Sequence, residues 1–80
     1  MNDLIKLILS LDTKTKANAF LISMFTPQEL SQLCQRLMIV KLLKAGLPQR
    51  EIAERLGVGI ATVTRGSKEI SDGKFEYIQA

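Results

Sequence analysis

"QREIAERLGVGIATVTRGS", residues 49–67, decides how the rest of the chain is read. Two short helices that cross at a steep angle need a small side chain at their closest approach, and Ala53 stands there. Ile52 and Leu56 give the first helix an apolar face. Gly57 follows at once, where a sharp reversal favours a residue tolerant of positive φ. Val58 fills the space under the turn, and Val63 anchors the second helix on the core. Gly59, Ile60, Ala61, Thr62 and Thr64 then fall at the start and outer face of that helix. They are small or hydroxylated, suited to lying close to base edges and phosphates. Gln49 and Arg50, opening the first helix, are placed to reach a phosphate or a guanine edge. The spacing reads as a DNA-binding helix-turn-helix, the other reading being a structural helical hairpin.

Gly66 departs from that pattern. Three residues after Val63, the inner face of the second helix ordinarily carries another apolar anchor. Glycine there weakens a helix by about 1 kcal/mol relative to alanine. Three readings are open: close packing, the end of the recognition helix, or a gap that a ligand fills, with Arg65 beside it.

Charge is distributed to match. The chain carries 11 Lys and Arg against 8 Asp and Glu. Residues 1–35 balance, with Lys6, Lys14 and Lys16 against Asp3, Asp12 and Glu29. Between 36 and 68, Arg36, Lys41, Lys44, Arg50, Arg55, Arg65 and Lys68 face only Glu51 and Glu54. The last twelve residues are net acidic, through Glu69, Asp72 and Glu76 against Lys74. The positive excess lies on the segment that contains the helix-turn-helix, as a polyanion-binding face requires, and Lys68 joins the candidate DNA face.

Outside this stretch, apolar residues recur at three- and four-residue spacing and period-2 alternation is absent. Leu4, Ile5, Ile8, Leu9 and Leu11 predict a helix over 3–11. After the polar break Asp12-Thr13-Lys14-Thr15, Ala17, Phe20, Leu21, Met24 and Phe25 predict one over 15–25. Thr26-Pro27-Gln28-Glu29 is a helix start, with a threonine cap, proline at the first position and glutamate to close a capping box. The third helix, 27–45, is apolar on nearly every side and so expected in the middle of something, with Cys34 in its core. Gly46 in the left-handed conformation and Pro48 end it. The helix-turn-helix occupies 48–56 and 60–70, and Phe75 with Tyr77 and Ile78 suggests a short C-terminal helix. The expectation is a single all-α domain over 1–80, with five to six short helices. Its parts are N-terminal dimerisation helices (1–25), a central core helix (26–46), the helix-turn-helix (48–70) and a short C-terminal helix or tail (71–80).

Composition closes off other classes. Hydrophobic residues make up 46% of the 80, more than so small a domain readily buries, which favours a homodimer with an apolar interface. There is one cysteine and no histidine, so no disulfide can staple the chain and no Cys/His zinc site can form, and no metal or cofactor is expected. Without an activated thiol or clustered carboxylates, no acid–base pair can be assembled, and an enzyme is not expected. A lone thiol suits a reducing cytoplasm. The apolar runs near the N-terminus fall far short of the about 20 residues that cross a bilayer, so no membrane partner is expected.

"FTPQELSQLCQRLMIVKLLKAG" followed by "QREIAERLGVGIATVTRGS" resembles the Trp repressor family, over about Phe25 to Lys68, with "GIATVTRGS" the most specific part. The resemblance implies an all-α intertwined homodimer whose two reading heads face successive major grooves of a double-stranded operator. It implies a transcriptional repressor with L-tryptophan as corepressor, bound between the core and the recognition helix. The family's ligand arginines fall on Arg36 and Arg65, which would sandwich the indole and pair with the carboxylate. Thr62 and Gly66 would line the pocket. Thr26 and the backbone carbonyls near Ser23 and Phe25 would receive the amino group from the partner subunit. The family's DNA contacts map onto Gln49, Arg50, Gly59, Ile60, Ala61, Thr62 and Thr64.

The chain departs from that pattern at three places. Glu69 stands where tryptophan-binding members carry a serine near the ligand's amino group. The connection "KAGLPQRE" is one residue shorter, and the N-terminal region matches only in its apolar character. These departures keep two alternatives in view: a ligand-independent regulator of the same kind, and a helical dimerisation or adaptor module that does not touch DNA.

Overall fold

A computed structural model describes residues 1–80, which form helices and turns with no strand. The helices are α1 (Asn2–Ser10), α2 (Lys14–Met24), α3 (Pro27–Lys44), α4 (Gln49–Leu56) and α5 (Ile60–Ser71). Each lies within one residue of the span expected from its apolar spacing. By its contacts the chain divides into two compact units, Met1–Ser31 and Gln32–Ala80.

In the Met1–Ser31 unit, local hydrogen bonds define the helix ends. Thr13 Oγ1 accepts from the Lys16 N–H at 3.1 Å and starts α2. The Thr26–Glu29 box forms reciprocally: the Thr26 N–H donates to Glu29 Oε1 at 2.8 Å, and the Glu29 N–H donates to Thr26 Oγ1 at 3.1 Å. Two of the free N–H groups at the start of α3 are thereby satisfied. Burial is sparse here. Neither α1 nor α2 has a buried residue, and Leu4, Ile5, Ile8, Leu9, Ile22 and Met24 are all exposed.

The Gln32–Ala80 unit holds the core. Ile39 from α3, Ile52 and Ala53 from α4 and Val63 from α5 meet there, with Leu42, Leu43, Leu47, Leu56 and Val58 packed around them. Ile52 and Val63 expose no surface at all. The α3 C-terminus closes with two bonds: the Leu47 N–H reaches the Leu42 carbonyl at 3.2 Å and the Gly46 N–H reaches Leu43 at 3.0 Å. Gly46 supplies the left-handed residue (φ 88°) that this closure needs, and Leu47 lands on the core. Gly57 does the same after α4 at φ 65°, with the Val58 N–H donating to the Ala53 carbonyl at 3.1 Å. The helix-turn-helix is therefore built as its spacing indicated.

The structure corrects the burial expected along α3 and decides two readings left open. Residues 72–77 form hydrogen-bonded turns and not a sixth helix. Gly73 at φ 90° turns the chain away from the α5 axis, and its N–H bonds back to the Ile70 carbonyl at 3.0 Å. Cys34 is exposed, not core. Of α3, only Ile39 and Val40 are buried, while Leu33, Leu37 and Met38 lie open. Two short helices cover only the C-terminal part of so apolar a helix. Lastly, Gly66 does not end the recognition helix, since α5 runs on to Ser71.

Candidate functional site

α5 is divided by its period into two faces. Val63 and Gly66 point inward and are buried, whereas Ile60, Ala61, Thr62, Thr64, Arg65 and Lys68 are exposed. The inner face passes very close to α3 at the glycine. A Cβ placed on Gly66 would lie 3.3 Å from Ile39 Cγ2 and 3.5 Å from Leu43 Cδ1. Gly66 is thus a close-packing residue: the space that an anchor would fill is taken by side chains of α3.

Beside this contact lies an open cavity of about 260 Å³ within the Gln32–Ala80 unit. Arg36 of α3 and Thr62, Arg65, Gly66 and Glu69 of α5 all line it. Five candidate ligand residues, separated by up to 33 positions in the chain, are therefore brought to one hollow. Gly66 serves both purposes, holding α5 against Ile39 and contributing bare backbone to the cavity wall. The other three candidates lie in the Met1–Ser31 unit, each in a local hydrogen bond. Ser23 Oγ donates to the Ala19 carbonyl at 2.7 Å, the Phe25 N–H donates to Leu21 at 3.1 Å, and Thr26 belongs to the capping box.

Further lining residues were not singled out from the sequence. Gln32, Gln35, Ile39 and Val40 complete the α3 wall. Helical spacing from Arg36 would have found them, because positions three and four apart share a face. Phe75 also lines the cavity, and nothing in its own neighbourhood signals this.

The cavity has charge at its rim and hydrocarbon at its floor. Glu69 is its acidic group, with a side chain only 26% exposed, paired to Arg65 Nε at 3.5 Å and to Lys74 Nζ at 3.4 Å. Arg65 is 76% exposed and so free to move toward a bound molecule. Arg36 has no acidic partner. Two guanidinium groups suit a carboxylate and stack on a flat ring, and a carboxylate suits an ammonium. Ile39 and Val40 offer the apolar surface for what lies between. Such an arrangement fits a zwitterion with a flat apolar side chain.

The DNA candidates lie on α4, α5 and the turn between them, and Thr62 also lines the cavity. Ile60, Thr64 and Lys68 follow one another at four-residue spacing along the outer face of α5. Thr64 Oγ1 donates to Gln49 Oε1 at 2.6 Å, tying the start of α4 to the outer face of α5. Arg50 is exposed next to it. Both helices begin without a side-chain cap, α4 at Pro48 and α5 at Gly59, in contrast to α2, where threonine caps the start. Uncapped N–H groups at a helix N-terminus are free to bind an anion such as a phosphate. That contrast was visible in the sequence as Pro48 and Gly59 standing where Ser, Thr or Asp would otherwise stand.

No helix is long and apolar enough to cross a membrane. The family described as "Trp repressor protein" matches residues 1–80. Among curated proteins, a Trp operon repressor homolog of Vibrio vulnificus (strain YJ016) is 54% identical over 48 residues, 59% of this chain and 47% of its own length. A Trp operon repressor homolog of Vibrio campbellii is 43% identical over 68 residues, 84% of this chain and 68% of its own. One from Aliivibrio salmonicida is 42% identical over 65 residues, 80% of this chain and 60% of its own. The matched stretch thus spans about half the length of the Vibrio vulnificus relative (47%). No solved structure matches. The match over all 80 residues, together with the helix-turn-helix and the cavity behind it, places the chain in the Trp repressor family.

Proposed function

We propose that the chain is a DNA-binding transcriptional repressor whose affinity for its operator is raised by L-tryptophan. One observation carries this reading: the cavity lies directly between the core helix α3 and the reading helix α5, with Arg36 on one wall and Arg65 on the other. A ligand seated there touches both the scaffold and the element that must enter the major groove. It shifts the population toward whichever α5 orientation gives it the better contacts. By linkage, DNA that prefers the same orientation is bound more tightly when the ligand is present.

In this reading Arg36 and Arg65 hold the carboxylate and stack on the indole. Glu69 takes the ammonium, and Thr62 and Gly66 border the ring. The reading head is the exposed face formed by Gln49, Arg50, Gly59, Ile60, Ala61, Thr62, Thr64 and Lys68. Two heads come from a homodimer, which the exposed apolar side chains of α1, α2 and the first part of α3 support. In that dimer, Thr26 and the carbonyls near Ser23 and Phe25 of the second copy complete the ammonium site.

A second reading has its own support. Glu69 already pairs with Arg65 along α5, so both charged groups are engaged within the helix. In a ligand-independent regulator the close approach of Gly66 to Ile39 and Leu43 of α3 would hold α5 in the DNA-binding orientation unaided. The two readings separate on selection of DNA from a random-sequence pool, with and without L-tryptophan. Tryptophan-dependent enrichment of a palindromic site is expected. The same enrichment in both arms would establish the ligand-independent regulator, and none in either would exclude DNA binding.

A further inference from the structure

Phe75 is the one non-glycine residue with a positive φ, 62°. An aromatic L-residue is held there only when its surroundings compensate the backbone strain, and such residues cluster at ligand sites. Four contacts hold this one. The turn at Gly73 is closed by the Lys74 N–H on the Glu69 carbonyl at 3.0 Å, and Lys74 Nζ pairs with the Glu69 carboxylate at 3.4 Å. Lys44 Nζ, at the end of α3, then donates to the Phe75 carbonyl and to the Ile78 carbonyl, the latter at 2.7 Å. A half-buried lysine whose ammonium is engaged by two carbonyls of the same short segment works as a strap. The strap sets the Phe75 side chain at the boundary of two hollows. One is the cavity with Arg36, Arg65 and Glu69, and the other is an apolar groove with Leu33, Leu37, Val40 and Ile78.

We infer that Phe75 contacts the ligand and determines its specificity, closing the apolar end of the cavity with a ring that selects an aromatic amino acid over an aliphatic one. The inference rests on the reading that this cavity takes L-tryptophan. Aromatic rings meet edge-to-face or offset and gain more than their buried area alone provides, whereas an aliphatic side chain gains only the area. The Lys44 strap makes the wall rigid, so the ring is in place before the ligand arrives and its ordering costs no affinity.

The test uses the full chain and the ligand's own fluorescence, since the sequence contains no tryptophan. L-tryptophan and L-leucine are titrated against the wild type, Phe75→Ala and Lys44→Met, with leucine followed by competition. Lys44→Met keeps the ring but removes the strap, and the melting curve of each variant without ligand reports whether it is folded. The expected result is a tenfold or greater loss of tryptophan affinity in both variants, with leucine affinity changed less than threefold. Unchanged tryptophan affinity in folded Phe75→Ala overturns the inference and leaves the corepressor reading standing. An equal loss for both ligands also overturns it, by showing a structural role without selection. If the wild type itself binds no tryptophan, the corepressor reading falls, and this inference with it.

Discussion

Replacing Gly66 by alanine inserts one methyl group where α5 lies against α3, and the structure allows its cost to be worked out. The new Cβ meets Ile39 Cγ2 at 3.3 Å and Leu43 Cδ1 at 3.5 Å. Carbon atoms settle at about 3.5–4.0 Å, so the Leu43 contact is ordinary and the Ile39 contact is tight. Ile39 is nearly fully buried, and its Cγ2 is attached at the branched Cβ, where the side chain is stiff. It cannot swing aside as the end of Leu43 can. Against this, alanine in a helix interior is favoured over glycine by about 1 kcal/mol. Overpacking a core by a methyl-sized group costs about 1–3 kcal/mol. The balance is a net loss of about 1 kcal/mol, which lowers the melting temperature by roughly 4–8 °C in a domain of this size. Thermal melts at one fixed protein concentration measure it. The double variant Ile39→Leu with Gly66→Ala moves the offending branch one carbon outward. It should therefore be more stable than the sum of the two single changes by about 1 kcal/mol. A Gly66→Ala protein that melts at or above the wild-type temperature, or strict additivity in the double variant, would show that Gly66 is not the point of closest approach.

Other substitutions probe separate links. Ile52→Ala, at a position with no exposed surface, should cost about 2–5 kcal/mol in urea unfolding and abolish DNA retention by unfolding the reading head. Thr26→Ala removes the hydroxyl that accepts from the Glu29 N–H, keeps the backbone N–H that donates to Glu29 Oε1, and should cost about 1 kcal/mol, read as a lowered melting temperature. Arg50→Ala should weaken binding to all DNA sequences alike and reduce the salt slope of the affinity by about one phosphate contact. A sequence-selective loss would instead place Arg50 on a base edge.

Much of this fold could be read in advance because its signals are local. Helix starts at Thr13 and Thr26, and stops at Gly46 and Gly57, are each decided within a few residues by hydrogen bonds that the structure contains. The core positions Ile52, Ala53 and Val63 follow from the geometry of two crossing helices. What escaped depends on contacts distant in the chain. Phe75 and Tyr77 resemble a helix in their own neighbourhood, but Gly73 and a lysine more than 30 residues away, Lys44, direct the segment into a strapped turn. Cys34 sits in an apolar helical pattern that by itself indicates burial, yet burial also requires a covering element, and α4 and α5 cover only the far end of α3. The cavity was half legible. Gly66, with Arg65 beside it, stood out from the helical spacing and Arg36 came from likeness to a known family, whereas the α3 residues beside Arg36 needed only the helical period.

Occupation of the hollow between α3 and α5 by an amino acid is read out by a thermal-shift series against the twenty amino acids. A ligand at about 100 times its dissociation constant stabilises the native state by roughly 2.7 kcal/mol. For a domain of this size that raises the melting temperature by about 10–20 °C. Such a rise is expected with L-tryptophan, and its loss in Arg65→Ala. A melting temperature unmoved by every amino acid would contradict that occupation.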